Sequence, residues 1–285
     1  MQHLTRFNIG RVLVLCALLP AFGCTMSAQI TPQAPAPVVA PPPAAVPVDP
    51  YAAVRPATSS VGVVMPDATD FSHPWDASTY VLRVTQFGVM PPLNGGVAFV
   101  GDSLTDWMRW DELFPKLRSR NFGIAGDTTV GLQHRISQVI AAKPSTVFVM
   151  IGTNDIEFGK LTAEGIAANI GDVLDRLAAG LPGAKVYVEN LLPRQPQYND
   201  RVVAVNTLLK AEAEKRGLTF IDLYSHFVAE GGRLDPTLTP DDLHLSGQGY
   251  LRWQSLIADD IAAAMPNKPI PAHRHKRHAH KHKGQ

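Results

Sequence analysis

Five short, unbroken apolar runs alternate with longer stretches of helical periodicity between about residues 97 and 264, and nothing else in the sequence narrows the fold as much. The runs are Val97 to Gly101, Asn121 to Ile124, Thr146 to Ile151, Lys185 to Glu189 and Leu218 to Leu223. A strand with one face in water alternates apolar and polar residues. Continuous apolarity instead fits a strand covered on both faces. Helical patterns follow near 105–119, 129–142, 162–179, 199–216 and 246–264. In the fourth of these, Val202, Val205, Leu208 and Leu209 fall on one stripe, and Gly217 stops the helix. Five β-α repeats predict a parallel sheet with helices on both sides and right-handed crossovers, an α/β fold of three layers. Residues 67–94 are expected to pack against it, with Phe71, Trp75 and Tyr80 as anchors, so the domain runs over 67–265.

The two ends have a different composition. Arg6 and Arg11 precede the apolar run Val12 to Leu19, and Ala21 and Gly23 follow it. A charged start, a short apolar core and small residues form an export signal over 1–23. Eight apolar residues fall far short of the ~20 that span a bilayer. Ala21-Phe22-Gly23-Cys24 resembles a bacterial lipoprotein processing box, which would make Cys24 a lipidated first residue and a membrane anchor. The other reading is ordinary secretion with cleavage nearer Ala28. Either way the mature chain is expected in the cell envelope or beyond. Cys16 lies in the signal, so the domain holds no cysteine nucleophile or thiolate metal site. Residues 24–66 read as an extended linker, with ten prolines between Ile30 and Pro66. Residues 266–285 read as a disordered tail carrying His273, His275, His278, His280 and His282 among six Lys and Arg. Setting aside the eight basic residues at the two ends leaves 18 basic against 25 acidic ones. A mildly acidic body does not point to nucleic acid.

In a parallel α/β sheet, functional groups gather where strands end at their carboxyl side. Four polar clusters occur at such positions: Gly101-Asp102-Ser103-Leu104-Thr105, Gly123-Ile124-Ala125-Gly126-Asp127-Thr128-Thr129, Gly152-Thr153-Asn154-Asp155 and Asp241-Asp242-Leu243-His244. A serine hydroxyl is a weak nucleophile that needs an adjacent base, and the base needs an orienting group. Outside the signal and tail the histidines are His73, His134, His226 and His244. Only His244 has a carboxylate three residues earlier and a place at the head of a helix after the last strand. Asp241 can reach one imidazole nitrogen while the other faces Ser103. Taken singly, Asp241-Asp242 reads as a turn pair, His244 as a surface histidine, Gly126 and Asn154 as turn residues, and Asp127 as a helix cap. Acyl transfer also needs donors aimed at a developing oxyanion. The backbone N–H groups of Ser103 and Gly126 and the side-chain amide of Asn154 are candidates.

These four blocks, in this order, resemble those of the SGNH (GDSL) hydrolases. The second is similar to that of proteins related to the platelet-activating-factor acetylhydrolase catalytic subunits. The likeness covers about residues 97–264. It implies a flavodoxin-like sheet of order 2-1-3-4-5 and ester hydrolysis without metal or cofactor. It also implies Ser103 as nucleophile, His244 as base, Asp241 as its orienter, and Ser103, Gly126 and Asn154 as the oxyanion hole. No Gly-x-Ser-x-Gly elbow is present, since Thr105 fills the last position, and no phosphate-binding Gly-x-x-x-x-Gly-Lys follows the first strand. Trp107 and Trp110 either line a substrate site or pack their helix into the domain. Arg194 either meets an anionic substrate group or is a solvated loop residue. The substrate class is a small ester, acetyl first, or an acylated carbohydrate. A module that binds acetylated glycan and an O-acyltransferase are the alternatives.

Overall fold

The computed structural model describes residues 74–158 and 161–264, with side chains from residue 78 onward. The signal, Cys24, the proline-rich linker, Phe71, the side chain of Trp75 and the His-rich tail lie outside the described residues. Strands β1 (Val97–Gly101), β2 (Ser119–Gly123), β3 (Thr146–Met150), β4 (Lys185–Glu189) and β5 (Thr219–Ile221) form one sheet. All neighbours pair in parallel, in the order β2-β1-β3-β4-β5. β1 and β3 are buried along their whole length, as their unbroken apolarity requires.

The helices are α1 (Pro74–Val89), α2 (Ser103–Asp106), α3 (Trp110–Leu113), α4 (Thr129–Ala142), α5 (Thr153–Phe158), α6 (Ala163–Gly180), α7 (Asn199–Lys215), α8 (Tyr224–Phe227) and α9 (Gly247–Ala264). They cover both faces of the sheet. On α7, Val202, Val205 and Leu209 are buried, and Gly217 beyond it takes a positive φ of 64°. α1 supplies Tyr80, Val84 and Phe87 to the same core as the sheet.

One expected helix is two. The pattern over 105–119 splits into α2 and α3 with a turn between them. The two amide protons of Asn121, on the neighbouring strand, are shared among the carbonyls of Thr105, Asp106 and Met108, drawing off the acceptors that would continue α2. α3 ends at Phe114, with φ −122° and ψ 69°, because Pro115 disfavours helical geometry in the residue before it. The break turns the two tryptophans apart. Trp110 is 1% exposed, stacks on Phe99 at 4.1 Å and donates to the Thr105 carbonyl. Trp110 is therefore a core residue, which corrects its place among the substrate contacts. Arg194 is corrected too, since it is neither solvated nor open to a substrate. It is buried, donates to the Thr153 carbonyl at 2.7 Å and pairs with Glu157 at 2.6 Å.

Candidate active site

The register of the sheet brings the first three polar clusters to one edge. Gly101 at the end of β1 lies opposite Gly123 of β2 and Met150 of β3. Ser103 opens α2 immediately after β1, and Asp102 caps that helix by accepting the Leu104 N–H. α2 and β2 pack so closely that a Cβ on Gly123 would lie 2.3 Å from the Asp106 nitrogen, which accounts for glycine there.

The fourth cluster comes from 141 residues further along and meets the first directly. Ser103 Oγ lies 3.1 Å from His244 Nε2, and His244 Nδ1 lies 2.7 Å from Asp241 Oδ2. An ionised carboxylate only accepts, so Nδ1 carries the proton, and Nε2 is left to accept from the serine hydroxyl. Asp241 is set by its own loop. Its Oδ1 accepts the backbone N–H groups of His244 at 2.7 Å and Leu243 at 3.1 Å. Partial burial pushes the Asp241 carboxyl up, but the hydrogen bonds from the His244 ring and from these two N–H groups outweigh it and hold the carboxyl below its usual range. Asp242 takes a positive φ of 61°, and Arg233 holds it with two bonds of 2.7 and 2.8 Å.

The loop after β2 carries the expected oxyanion donor. Gly126 has a φ of 79°, a conformation that suits glycine. Asn154, in the first turn of α5, donates to the Asp127 carbonyl at 2.8 Å, which ties its amide to this loop. Asp127 is not the cap of α4. That position belongs to Thr128, and Asp127 instead pairs with Arg135 at 2.7 Å, both fully buried. Arg135 also donates to the carbonyls of Phe122 and Gly101, joining the ends of β1 and β2. Asp155 accepts from the N–H and hydroxyl of Thr129 and so fixes α5 to α4.

Beneath the site the acids are expensive to ionise. Burial pushes the Asp102 carboxyl up to about 7, opposed by the Leu104 N–H and reinforced by Asp127 and Asp155. Burial raises Asp155 to about 6, against the bonds from Thr129. No spacing signal announced Arg135, Asn121 or Asp106, whose partners lie on other elements.

Trp107 is 54% exposed, and its ring sits 4.1 Å from the imidazole of His244, tilted by 30°. Its indole flanks the Ser103–His244–Asp241 cluster. A separate cleft of about 290 Å³, lined by Asn190, Asn206, Lys210, Phe220, Asp222 and Tyr224, includes none of these groups. Among the described residues no group of three His, Cys, Asp or Glu side chains is placed to hold a metal ion, and no helix is long and apolar enough to cross a membrane.

Residues 99–252 match the model of the GDSL-like lipase/acylhydrolase family. Platelet-activating factor acetylhydrolase IB subunit alpha2 of Homo sapiens is 36% identical over 166 residues, covering 55% of this chain and 71% of that protein. The alpha1 subunit of Bos taurus is 34% identical over 164 residues, covering 54% and 69%. Among solved structures, a GDSL-like lipase from Bacteroides thetaiotaomicron superposes with a TM-score of 0.58 at 24% identity, over 66% of this chain and 99% of that one. A variant of an acetyl-xylooligosaccharide esterase from Geobacillus superposes with a TM-score of 0.51 at 20% identity, over 59% and 94%. At these identities the two structures speak for the fold.

Proposed function

The chain belongs to the GDSL-like lipase/acylhydrolase family and is a carboxylic ester hydrolase, and from that premise we propose a serine esterase that removes short acyl groups through an acyl-enzyme on Ser103. The observation that carries this reading is the continuous contact from Ser103 Oγ through His244 to Asp241, at 3.1 and 2.7 Å. Ser103 Oγ attacks the ester carbonyl as His244 Nε2 takes its proton. Asp241 keeps the imidazole in the right tautomer and stabilises the imidazolium that forms. The N–H groups of Ser103 and Gly126 donate to the tetrahedral oxyanion. An amide NH2 carries two protons, and Asn154 spends one on Asp127 and offers the other. Collapse of the intermediate breaks the ester C–O bond, and His244 returns the proton to the leaving alkoxide. Water, activated by the same imidazole, then releases the acid. An acceptor hydroxyl in place of water would make the same site an acyltransferase.

The acetyl preference rests on the relatives named for acetylhydrolysis. The exposed indole of Trp107 beside the general acid favours an acylated carbohydrate as substrate. A glycan-binding module would have no use for an aligned Ser–His–Asp contact. Ser103→Ala is expected to abolish hydrolysis of p-nitrophenyl acetate, and unchanged turnover would reject the assignment. Export and lipid anchoring at Cys24 are part of the same reading and rest on the sequence of residues 1–24. The mass of the mature N-terminus checks them, since a free Gln29 or Ile30 would exclude the anchor.

A further inference from the structure

Helix α1 lies before the family-matching region 99–252, yet one of its side chains reaches the loop that carries Gly126. Arg83 NH2 pairs with Asp106 Oδ1 at 2.9 Å, and Asp106 Oδ2 accepts the Ala125 N–H at 3.1 Å. Arg83 also donates from Nε and NH2 to the Gly123 carbonyl, at 3.3 and 3.2 Å. One guanidinium thus grips the loop twice, at Gly123 directly and at Ala125 through Asp106. Ala125 is the residue whose carbonyl carbon bears the Gly126 nitrogen. Asp106 is also the last residue of α2, the helix that Ser103 opens. The pair therefore spans the nucleophile helix and the oxyanion loop. On the other side the loop is held by the buried Asp127–Arg135 pair. Burial raises the Asp106 carboxyl, and Arg83 is the first of the groups that counter this, followed by the Ala125 N–H.

α1 does not need Arg83 to stay on the domain. Tyr80 donates to the Gly131 carbonyl at 2.7 Å, Gln138 donates to the Val84 carbonyl at 2.8 Å, and Val84 and Phe87 are buried in the core. Arg83 is partly exposed and spends its donors on Asp106, Gly123 and Gln86.

We propose that Arg83 is a positioning residue for the oxyanion hole, acting through Asp106 on the Ala125–Gly126 peptide, so that α1 completes the active site rather than merely covering the sheet. This rests on the esterase reading and assigns Arg83 no contact with substrate. Removing an oxyanion donor outright typically slows turnover ~10²–10³-fold. Loosening one is expected to slow it about tenfold.

The test uses the full chain, short p-nitrophenyl esters, and a boronic acid as the mimic that forms a tetrahedral adduct at Ser103. Arg83→Ala is expected to lower kcat about tenfold with KM changed less than twofold, and to weaken boronate inhibition in parallel. Arg83→Lys should restore most of both, and Asp106→Asn should reproduce the kcat loss. Gln138→Ala removes a tie between α1 and α4 away from the loop. It should lower the melting temperature and leave kcat and boronate affinity unchanged at a temperature where all variants are folded. Should Arg83→Ala not fold, Arg83→Lys and Asp106→Asn carry the comparison. Unchanged kcat in Arg83→Ala, or equal losses in Arg83→Ala and Gln138→Ala, would overturn the assignment. A wild-type chain that cleaves no ester would instead sink the esterase reading on which it rests.

Discussion

Trp107 and Trp110 show what a single residue's spacing can and cannot say. Three positions apart on one unbroken helix, they would share a face. The turn forced between them sends Trp110 into the core and leaves Trp107 on the imidazole of His244. Nothing local in the sequence separates the two, because the break comes from Asn121 on another strand. The contact of Ser103, His244 and Asp241 was legible for the opposite reason. Their chemistry demands particular residue types at strand ends, and the three-residue step from Asp241 to His244 lets one loop form both a backbone and a ring hydrogen bond. In the proposed mechanism His244 protonates the leaving alcohol, so that alcohol must lie near Trp107. A pyranose can lay its C–H face on an indole, whereas ethanol has little to place there. Aromatic ring pairs are worth about 0.5–1.5 kcal/mol, and a sugar face on the indole is taken to be of the same order. Trp107→Ala is therefore expected to raise KM about two- to tenfold for an acetylated xyloside and to leave KM for ethyl acetate unchanged. Equal changes for both esters would show that the indole serves only to hold the imidazole.

At the level of elements, the periodic helices and the continuous strands were recoverable because each is set by which face it buries. α4 matches its expected limits of 129–142, and the expected α6, α7 and α9 each end within a residue of the observed ones. Buried ionisable groups were not recoverable, since the sequence does not tell which distant group will satisfy them. Glu189 is the clearest case. It ends β4 inside the core, where its Oε1 accepts from the Trp253 indole at 2.7 Å. Burial pushes its carboxyl up to about 8, opposed by the Trp253 bond and reinforced by Asp260. The sign follows from proton counts. An unfolded Glu189 ionises near its ordinary value of about 4.3, while the folded one keeps its proton. Stability from this group is then complete in acid, falls as pH rises above that value, and is spent once pH passes about 8. Glu189→Gln preserves an acceptor for Trp253 and cannot ionise. Thermal unfolding followed from pH 4 to 9 should show a smaller alkaline drop in melting temperature for the variant than for the wild type. Parallel curves would mean that Glu189 ionises in the folded protein as it does in water.

For the molecule as a whole, the question is where the working unit begins. The family match starts at residue 99, inside β1, and the polar motifs all lie beyond it. The core does not stop there. Tyr80, Val84 and Phe87 of α1 and Leu93 after it are buried among the sheet residues, and Phe87 packs against Phe122 of β2 with ring centroids 5.0 Å apart. Tyr80 was legible as an anchor because a large aromatic residue just before the five β-α repeats needs a core to enter. The spacing of Tyr80, Val84 and Phe87 at i, i+4 and i+7 marks one face of a helix and was the signal available for α1. Full burial of an apolar side chain stabilises by about 1.5–3 kcal/mol, so these four together contribute roughly 6–12 kcal/mol. That is comparable with the roughly 5–15 kcal/mol that separates a folded domain from its unfolded chain. A chain starting at Asn94 also loses Arg83 from the oxyanion loop. Residues 67–285 are therefore expected to unfold cooperatively and to hydrolyse short esters, and residues 94–285 to show no cooperative thermal transition by circular dichroism. If the shorter chain melted within a few degrees of the longer one, the sheet and its other helices would hold the fold unaided, and α1 would be an accessory.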